Sequence, residues 1–262
     1  MDKAPLTIIY DQMGFEVNVP LTPRIISLVP SQTELLVDLG LSHNIVGITK
    51  FCIHPKELSK SKTIVGGTKK FRFDVIRKLQ PNLIIGNKEE NYQDGITALQ
   101  QDFPVWMSDI NTYDQALDMI RQVGRLTHTY DRALEIVNEI ESGFERLEVI
   151  RPPKRVLYFI WQNPYMVVGA NTFIDDILSK LGMDNVARHL SRYPSLEREE
   201  IQKLEPEVIL LSSEPYPFKQ NHIEHFQHLC PQAQVSVVDG EMFSWYGSRL
   251  RYAPEYFQTL QF

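Results

Sequence analysis

Ile76-Arg77-Lys78-Leu79-Gln80-Pro81-Asn82-Leu83-Ile84-Ile85 is answered far downstream by Ile201-Gln202-Lys203-Leu204-Glu205-Pro206-Glu207-Val208-Ile209-Leu210. Each stretch reads as a helix ending in Lys-Leu, a proline that stops it, and an apolar run of buried-strand type. The correspondence continues upstream. Thr33–Gly40 and Asp175–Gly182 both predict short amphipathic helices closed by a C-terminal glycine, each after a strand pattern. One helix-to-strand unit therefore occurs twice. Two similar α/β lobes are expected, and with them a cleft between the lobes where function should be sought.

Further strands are expected at Thr7–Tyr10 and Glu16–Val19, a hairpin turning at Gly14, and at Arg24–Val29, Val46–Thr49, Thr63–Val65, Leu83–Ile85 and Val105–Met107. A Ser or Thr cap is expected to open the helix after Pro30. The alternation with helices predicts mostly parallel sheets flanked by helices. Residues 1–112 form the expected N-terminal lobe, 113–150 the bridging helices and 151–262 the C-terminal lobe. Leu134, Val137, Ile140, Phe144 and Leu147 recur on one helical face, so a single long helix over Tyr130–Ile150 is expected to join the lobes.

Composition narrows the function classes. With 43% hydrophobic and 23% charged residues the chain can bury a sizeable core, and a formal net charge of −6 argues against nucleic-acid binding. No apolar run reaches the roughly 20 residues of a membrane span. Met1–Pro5 shows none of the features of a secretory signal, which leaves a cytoplasmic location open. Cys52 and Cys230 stand in no metal or redox spacing and are expected to stay reduced.

Phe51, Trp161, Tyr193, Phe243, Trp245 and Tyr246 fall in turns after strand patterns. Any one could be a core side chain, whereas the set reads as a binding wall. Arg249 suits either an acid on a ligand or a salt bridge to a neighbouring acid. Asn87-Lys88-Glu89-Glu90-Asn91 follows a strand and offers amides and carboxylates, with a solvated turn as the alternative. His54 and the run His222, His225, His228 are candidate metal ligands on residue type alone. Steps of three rotate the outer histidines of that run apart around a helix, and a surface helix with no metal is expected. No enzyme motif is present: there is no Gly-x-Gly-x-x-Gly, no Gly-x-x-x-x-Gly-Lys and no Gly-x-Ser-x-Gly.

Arg24–Glu34 with its Pro-Ser-x-Thr-Glu element, Val46-Gly47-Ile48, Leu79–Ile85 and the helical bridge resemble the helical-backbone substrate-binding proteins of ABC importers. The likeness runs from about residue 15 to the end. It is nearest the cobalamin-binding branch, then the haem and ferric-siderophore receptors. It implies a non-enzymatic, monomeric, periplasmic or envelope-located protein that binds cobalamin, haem or a ferric siderophore, carries no intrinsic cofactor, and serves a permease and its ATPase. A cytosolic corrinoid- or tetrapyrrole-binding protein is the alternative. Position by position the resemblance implies ligand contacts at Phe51, Thr68, Asn87, Glu89, Trp161, Met166, Tyr193, Trp245, Tyr246 and Arg249. Where cobalamin receptors present tryptophans this chain has Thr68 and Asn87. The resemblance also implies that Asp74 and Glu199 dock the permease; each stands seven residues before the proline of its repeat, Pro81 or Pro206.

Overall fold

Leu83-Ile84-Ile85 and Val208-Ile209-Leu210 are both buried throughout, as strands covered on two faces must be. In the computed structural model, which describes residues 8–261, these runs are central strands of two separate sheets. The expected start of the first hairpin, Thr7, and the segment Met1–Pro5 lie outside the described residues.

Two compact units result. The first gathers the chain up to Ile110, Asp114–Glu141 and Tyr246–Arg249; the second gathers Asn111–Tyr113, Ser142–Trp245 and the chain from Leu250. The expected bridging segment 113–150 is thus divided between them. So is Phe243–Arg249, which the resemblance had placed in the C-terminal lobe as a whole.

The first unit runs β1 (Ile8–Tyr10), β2 (Glu16–Asn18), β3 (Ile25–Ser27), α1 (Pro30–Asp38), β4 (Ile45–Ile48), α2 (Lys56–Ser61), β5 (Thr63–Ile64), β6 (Gly66–Gly67), β7 (Lys70–Phe71), α3 (Phe73–Leu79), β8 (Leu83–Asn87), α4 (Gln93–Gln100) and β9 (Val105–Ser108), then most of α5 (Tyr113–Leu126) and α6 (Tyr130–Glu145). Its main sheet has the order β5-β4-β3-β8-β9, every pair parallel. The hairpin β1–β2 stands apart, turning at Gly14 with φ 86°. Buried Asp11 pins it: one carboxylate oxygen accepts from the Met13 and Phe15 N–H groups and the other from Met107 N–H in β9.

The second unit runs β10 (Lys154–Trp161), β11 (Tyr165–Val167), α7 (Phe173–Lys180), β12 (Met183–Asn185), β13 (Ser195–Leu196), α8 (Arg198–Lys203), β14 (Val208–Ser212), α9 (Gln220–Leu229), β15 (Gln234–Val238), α10 (Gly240–Ser244) and α11 (Ala253–Thr259). Its sheet has the order β13-β11-β10-β14-β15, with β12 also on β10. β12, β14 and β15 join in parallel; β11 and β13 are antiparallel.

The repeat holds at atomic detail. Gln80 and Glu205, each just before the repeat proline, both take left-handed backbone at φ 44°, and Gly40 and Gly182 close α1 and α7 at φ 84° and 77°. An arginine then ties each helix end to its strand. Arg24 Nε donates to the Leu79 carbonyl at 2.7 Å, while its own N–H donates to Asn82 Oδ1 at 2.6 Å. Arg155 Nη2 donates to the Leu204 carbonyl at 2.6 Å and Nε to that of Glu205, while its N–H donates to Glu207 Oε2 at 2.9 Å. Carbonyls orphaned at a helix C-terminus thus gain a cation in both units.

Two expectations change. α6 ends at Glu145, not Ile150, so its 16 residues span about 24 Å at about 1.5 Å each. Beyond it Ile150 N–H donates to the Leu181 carbonyl, satisfying a group at the C-terminus of α7 that has no helical partner of its own. At the other end of the first unit, no Ser or Thr caps α1. Pro30 occupies its first turn after Val29, and Thr33 Oγ1 bonds back to the Val29 carbonyl at 2.8 Å. Among the described residues no helix is long and apolar enough to cross a membrane.

Candidate functional site

In a parallel sheet, loops leaving the carboxyl ends of the strands are free of the ladder and carry the chemistry. In the first unit they hold Phe51, Thr68 and Glu89. Phe51 follows β4 and is 49% exposed, with Lys50 Nζ 4.9 Å from its ring centroid. A Cβ placed on Gly67 would lie 3.3 Å from the Phe51 ring, so the glycine allows the ring to sit against β6. Thr68 is half-buried, and its carbonyl accepts from Asn91 Nδ2. Lys69 Nζ donates to the Glu89 carbonyl at 2.6 Å.

Asn87 does something else. It is 1% exposed; its Oδ1 accepts from the N–H groups of Glu89 and Glu90, and its Nδ2 donates to Ser108 Oγ at 3.0 Å. Its amide shapes the Lys88–Asn91 turn from inside rather than facing outward.

Tyr246 and Arg249 also belong to the first unit, and both are engaged there. Tyr246 OH donates to Glu90 Oε1 at 3.0 Å, and burial, then the Glu90 charge, push its phenol well above the usual tyrosine range. Arg249 grips Glu34 through two bonds, Nε to Oε2 at 2.9 Å and Nη2 to Oε1 at 2.7 Å. The neighbouring acid that the sequence offered Arg249 as a partner is Glu34. Between them Gly247 sits so close to the Ser31 carbonyl that a Cβ would approach it to 2.5 Å.

In the second unit the structure brings Trp161 and Met166 together as paired residues of β10 and β11. Trp161 is 38% exposed, and its ring meets Tyr216 edge-on at 5.3 Å. The chain at 192–194 runs alongside β11, since Val167 N–H donates to the Pro194 carbonyl and Gly169 N–H to that of Arg192. Half-buried Tyr193 lies in that run, with the Arg192 guanidinium 5.7 Å from its ring centroid. Trp245 is buried, and Nε1 donates to Glu214 Oε1 at 2.9 Å. Phe243 is buried wholly, packed on Tyr158 and Phe257, and is core.

Glu214 escaped the sequence reading. Its Oε1 also accepts from Ser244 Oγ at 3.0 Å. Burial, and the charges of Glu241 and Asp239, raise its carboxyl above the usual glutamate range against the two hydrogen bonds. The signal was available: Glu214-Pro215-Tyr216-Pro217 follows the apolar strand Val208–Leu211 after only Ser212-Ser213, where a loop residue can face the site.

The histidine run lies on α9 with separate partners. His222 Nδ1 accepts from Lys219 N–H, His225 Nε2 bonds Tyr165 OH at 2.6 Å, and His228 Nδ1 bonds the Glu224 carbonyl. Among the described residues no three His, Cys, Asp or Glu side chains cluster as metal ligands would. His54 is half-buried just before Pro55. Cys52 and Cys230 are free and buried, and burial raises both thiols.

Asp74 and Glu199 are exposed in the first turns of α3 and α8. The neighbouring Glu200 is spent on capping, its Oε2 accepting from Glu197 N–H at 2.7 Å.

Two α/β units, one with a parallel and one with a mixed sheet, and with exposed aromatic side chains at strand ends, fit a ligand-binding class of α/β protein. The chain belongs to the periplasmic binding protein family, whose model matches residues 25–228. It is 25% identical over 237 residues to a vitamin B12-binding protein of Photorhabdus laumondii, covering 88% of this chain and 85% of that one. It is also 25% identical over 224 residues to an uncharacterized ABC transporter substrate-binding lipoprotein of Bacillus subtilis, covering 79% and 68%. A solved siderophore-binding protein, bound to two acinetobactin molecules and ferric iron, shares the fold with TM-score 0.80 at 16% identity, covering 97% and 98%. The resemblance read from the sequence is thereby borne out as family membership.

Proposed function

We propose that this protein is the substrate-binding component of an ABC importer, capturing a corrinoid or an iron chelate and handing it to a permease and its ATPase. The observation that carries the reading is the pair of exposed aromatics at strand ends, Phe51 in one unit and Trp161 in the other, in a chain of this family. Apolar surface at such positions is left open for a ligand to cover. Phe51, Thr68 and Glu89 are the proposed contacts in the first unit, and Trp161, Met166, Tyr193 and Trp245 in the second. Tyr246, Arg249 and Asn87 support the loops that carry them.

Absorbance titration with cyanocobalamin, hemin and a ferric siderophore tests the reading. A spectral change with saturable binding of at least one is expected; none binding would sink it. The exposed acids Asp74 and Glu199, placed alike on α3 and α8, are proposed as permease contacts. Charge reversal at both should abolish stimulation of the transporter's ATPase with ligand binding unchanged. Wild-type stimulation by the double variant would reduce both acids to helix-terminus charges.

A further inference from the structure

Six lysines and one arginine fall between Lys50 and Arg72, against a single acid, Glu57. That segment carries a formal net charge of +6 on a chain whose net charge is −6, so the rest of the chain carries −12. Among the described residues none of the seven cations forms a salt bridge. All but Lys62, which is half-buried, are exposed.

The fold of the first unit strings these charges along one edge. β5 is the last strand of the main sheet and parallel to β4, so α2 carries the chain back along that edge from the end of β4 to the start of β5. Lys56 and Lys60 stand one turn apart on α2, each about 160° around the axis from Leu58, its buried residue. Lys62 follows just before β5. At the far end of the edge the β6–β7 hairpin carries Lys69 and Lys70, with Lys70 paired to Gly67, and Lys50 Cε is 3.6 Å from a Cβ placed on Gly67. Ile53, 48% exposed, lies in the turn that leads into α2. Arg72 is the N-cap residue of α3, two positions before Asp74, so the basic strip borders the acid proposed to meet the permease.

Like charges one helical turn apart repel, and the fold supplies this strip with no counter-charge. A surface of dense negative charge relieves that repulsion. Anionic headgroups attract such polybasic segments, and an exposed aliphatic side chain among the lysines can enter the headgroup boundary. A soluble polyanion offers Ile53 nothing. The −12 carried elsewhere is repelled by the same surface, which orients the chain with the basic edge towards it.

Resting on the importer reading above, which puts the working protein at a bilayer, we infer that the edge formed by α2 and the β6–β7 hairpin is a docking surface for anionic phospholipid headgroups. It holds the protein on the membrane with Asp74 beside the contact.

The test co-sediments the full chain with vesicles of mixed phosphatidylglycerol and phosphatidylcholine, and with vesicles of phosphatidylcholine alone, at low and high salt. Binding to the anionic vesicles only, released by salt, is expected. Each basic residue near such a surface contributes about fivefold, so Lys56→Gln, Lys60→Gln and Lys70→Gln together should weaken binding about tenfold or more. Ile53→Ser should weaken it about threefold. The same charge change in the second unit, Arg151→Gln with Lys203→Gln and Lys219→Gln, should stay within about twofold of wild type. Equal losses in the two triple variants, or binding to neither vesicle or to both alike, would overturn the inference and leave the lysines as guards of an edge strand. Release by glycerol phosphate but not by chloride of equal ionic strength would make the strip a site for free phosphate groups and overturn it as well. Circular dichroism checks the fold of each variant. Titration with cyanocobalamin, hemin and a ferric siderophore keeps the two readings apart, and the patch variant should bind ligand as wild type does. A wild-type chain that takes up a ligand but no vesicle sinks this inference alone; one that binds anionic vesicles but none of the three ligands sinks the importer reading alone.

Discussion

Arg249 offers the sharpest test of which side chains hold the molecule together and which are open to a ligand. Its two bonds to Glu34 are short and parallel, and the two side chains are 13% and 15% exposed, so water screens the pair poorly. Arg249→Met keeps the aliphatic stem but strands the Glu34 carboxylate. Removing one partner of a buried pair costs about 3–5 kcal/mol, and the residual exposure here puts the expected loss near the lower end, about 3 kcal/mol. At about 2–4 °C per kcal/mol, the midpoint of thermal unfolding should fall by about 6–12 °C. Arg249 has contacts beyond Glu34. A double-mutant cycle with Glu34→Gln in urea therefore isolates the pair, with an expected coupling of about 2 kcal/mol. A coupling indistinguishable from zero, with Arg249→Met binding ligand at least about tenfold more weakly, would refute the argument and return Arg249 to the ligand wall.

Other side chains give equally direct tests. Glu214 is raised by burial, so the folded state binds its proton more readily than the unfolded chain does, and stability falls as pH rises from the usual glutamate range through the raised value. Glu214→Gln should then be more stable than wild type at pH 7, with the gap closing as pH falls into the usual glutamate range; thermal melts across pH read it, and a gap that widens on acidification would count against burial as the cause. Trp161→Ala should weaken ligand affinity by at least about tenfold, about 1.4 kcal/mol, with unchanged circular dichroism, and an unaltered titration curve would remove Trp161 from the site. Arg24→Met and Arg155→Met should each cost about 1–3 kcal/mol in urea unfolding, because each releases carbonyl partners of a charged donor. Losses below about 0.5 kcal/mol for both would make the paired arginines surface ornaments.

The duplicated helix-to-strand unit was legible because it rests on local rules: proline stops, glycine caps and apolar runs are written in neighbouring residues. The exposure of Phe51 and Trp161 was legible for a similar reason, since a large apolar side chain at or just past the end of a strand has few ways to be covered. Arg249 was not, because its two readings differ only in whether Glu34, 215 positions away, lies within reach. Asn87 misled in the same way: a strand-end amide can face a ligand or fold its own turn, and only the positions of Ser108 and the Glu89 and Glu90 N–H groups decide. Phe243-Ser244-Trp245-Tyr246 looked like one aromatic wall, yet the chain passes from one unit to the other between Trp245 and Tyr246. The end of α6 was missed because apolar periodicity runs on to Leu147 while the helix stops at Glu145, and Ile150 N–H goes to the Leu181 carbonyl, a tertiary bond invisible in that periodicity.

Tyr246–Arg249 belongs to the first unit but follows the entire sheet of the second in the chain, and this order constrains biosynthesis. While the ribosome is still making the second unit, the first already has its parallel sheet but lacks the segment that seats Gly247 on the Ser31 carbonyl, closes Tyr246 onto Glu90 and neutralises Glu34. Domains commonly fold as units, N-terminal first, as they emerge. Here the N-terminal unit emerges without its last segment, leaving the Glu34 carboxylate and the start of α1 uncovered until Arg249 leaves the exit tunnel. A nascent chain arrested before Tyr246 should therefore be cleaved by protease faster around α1 and the Lys88–Asn91 turn than the completed chain is.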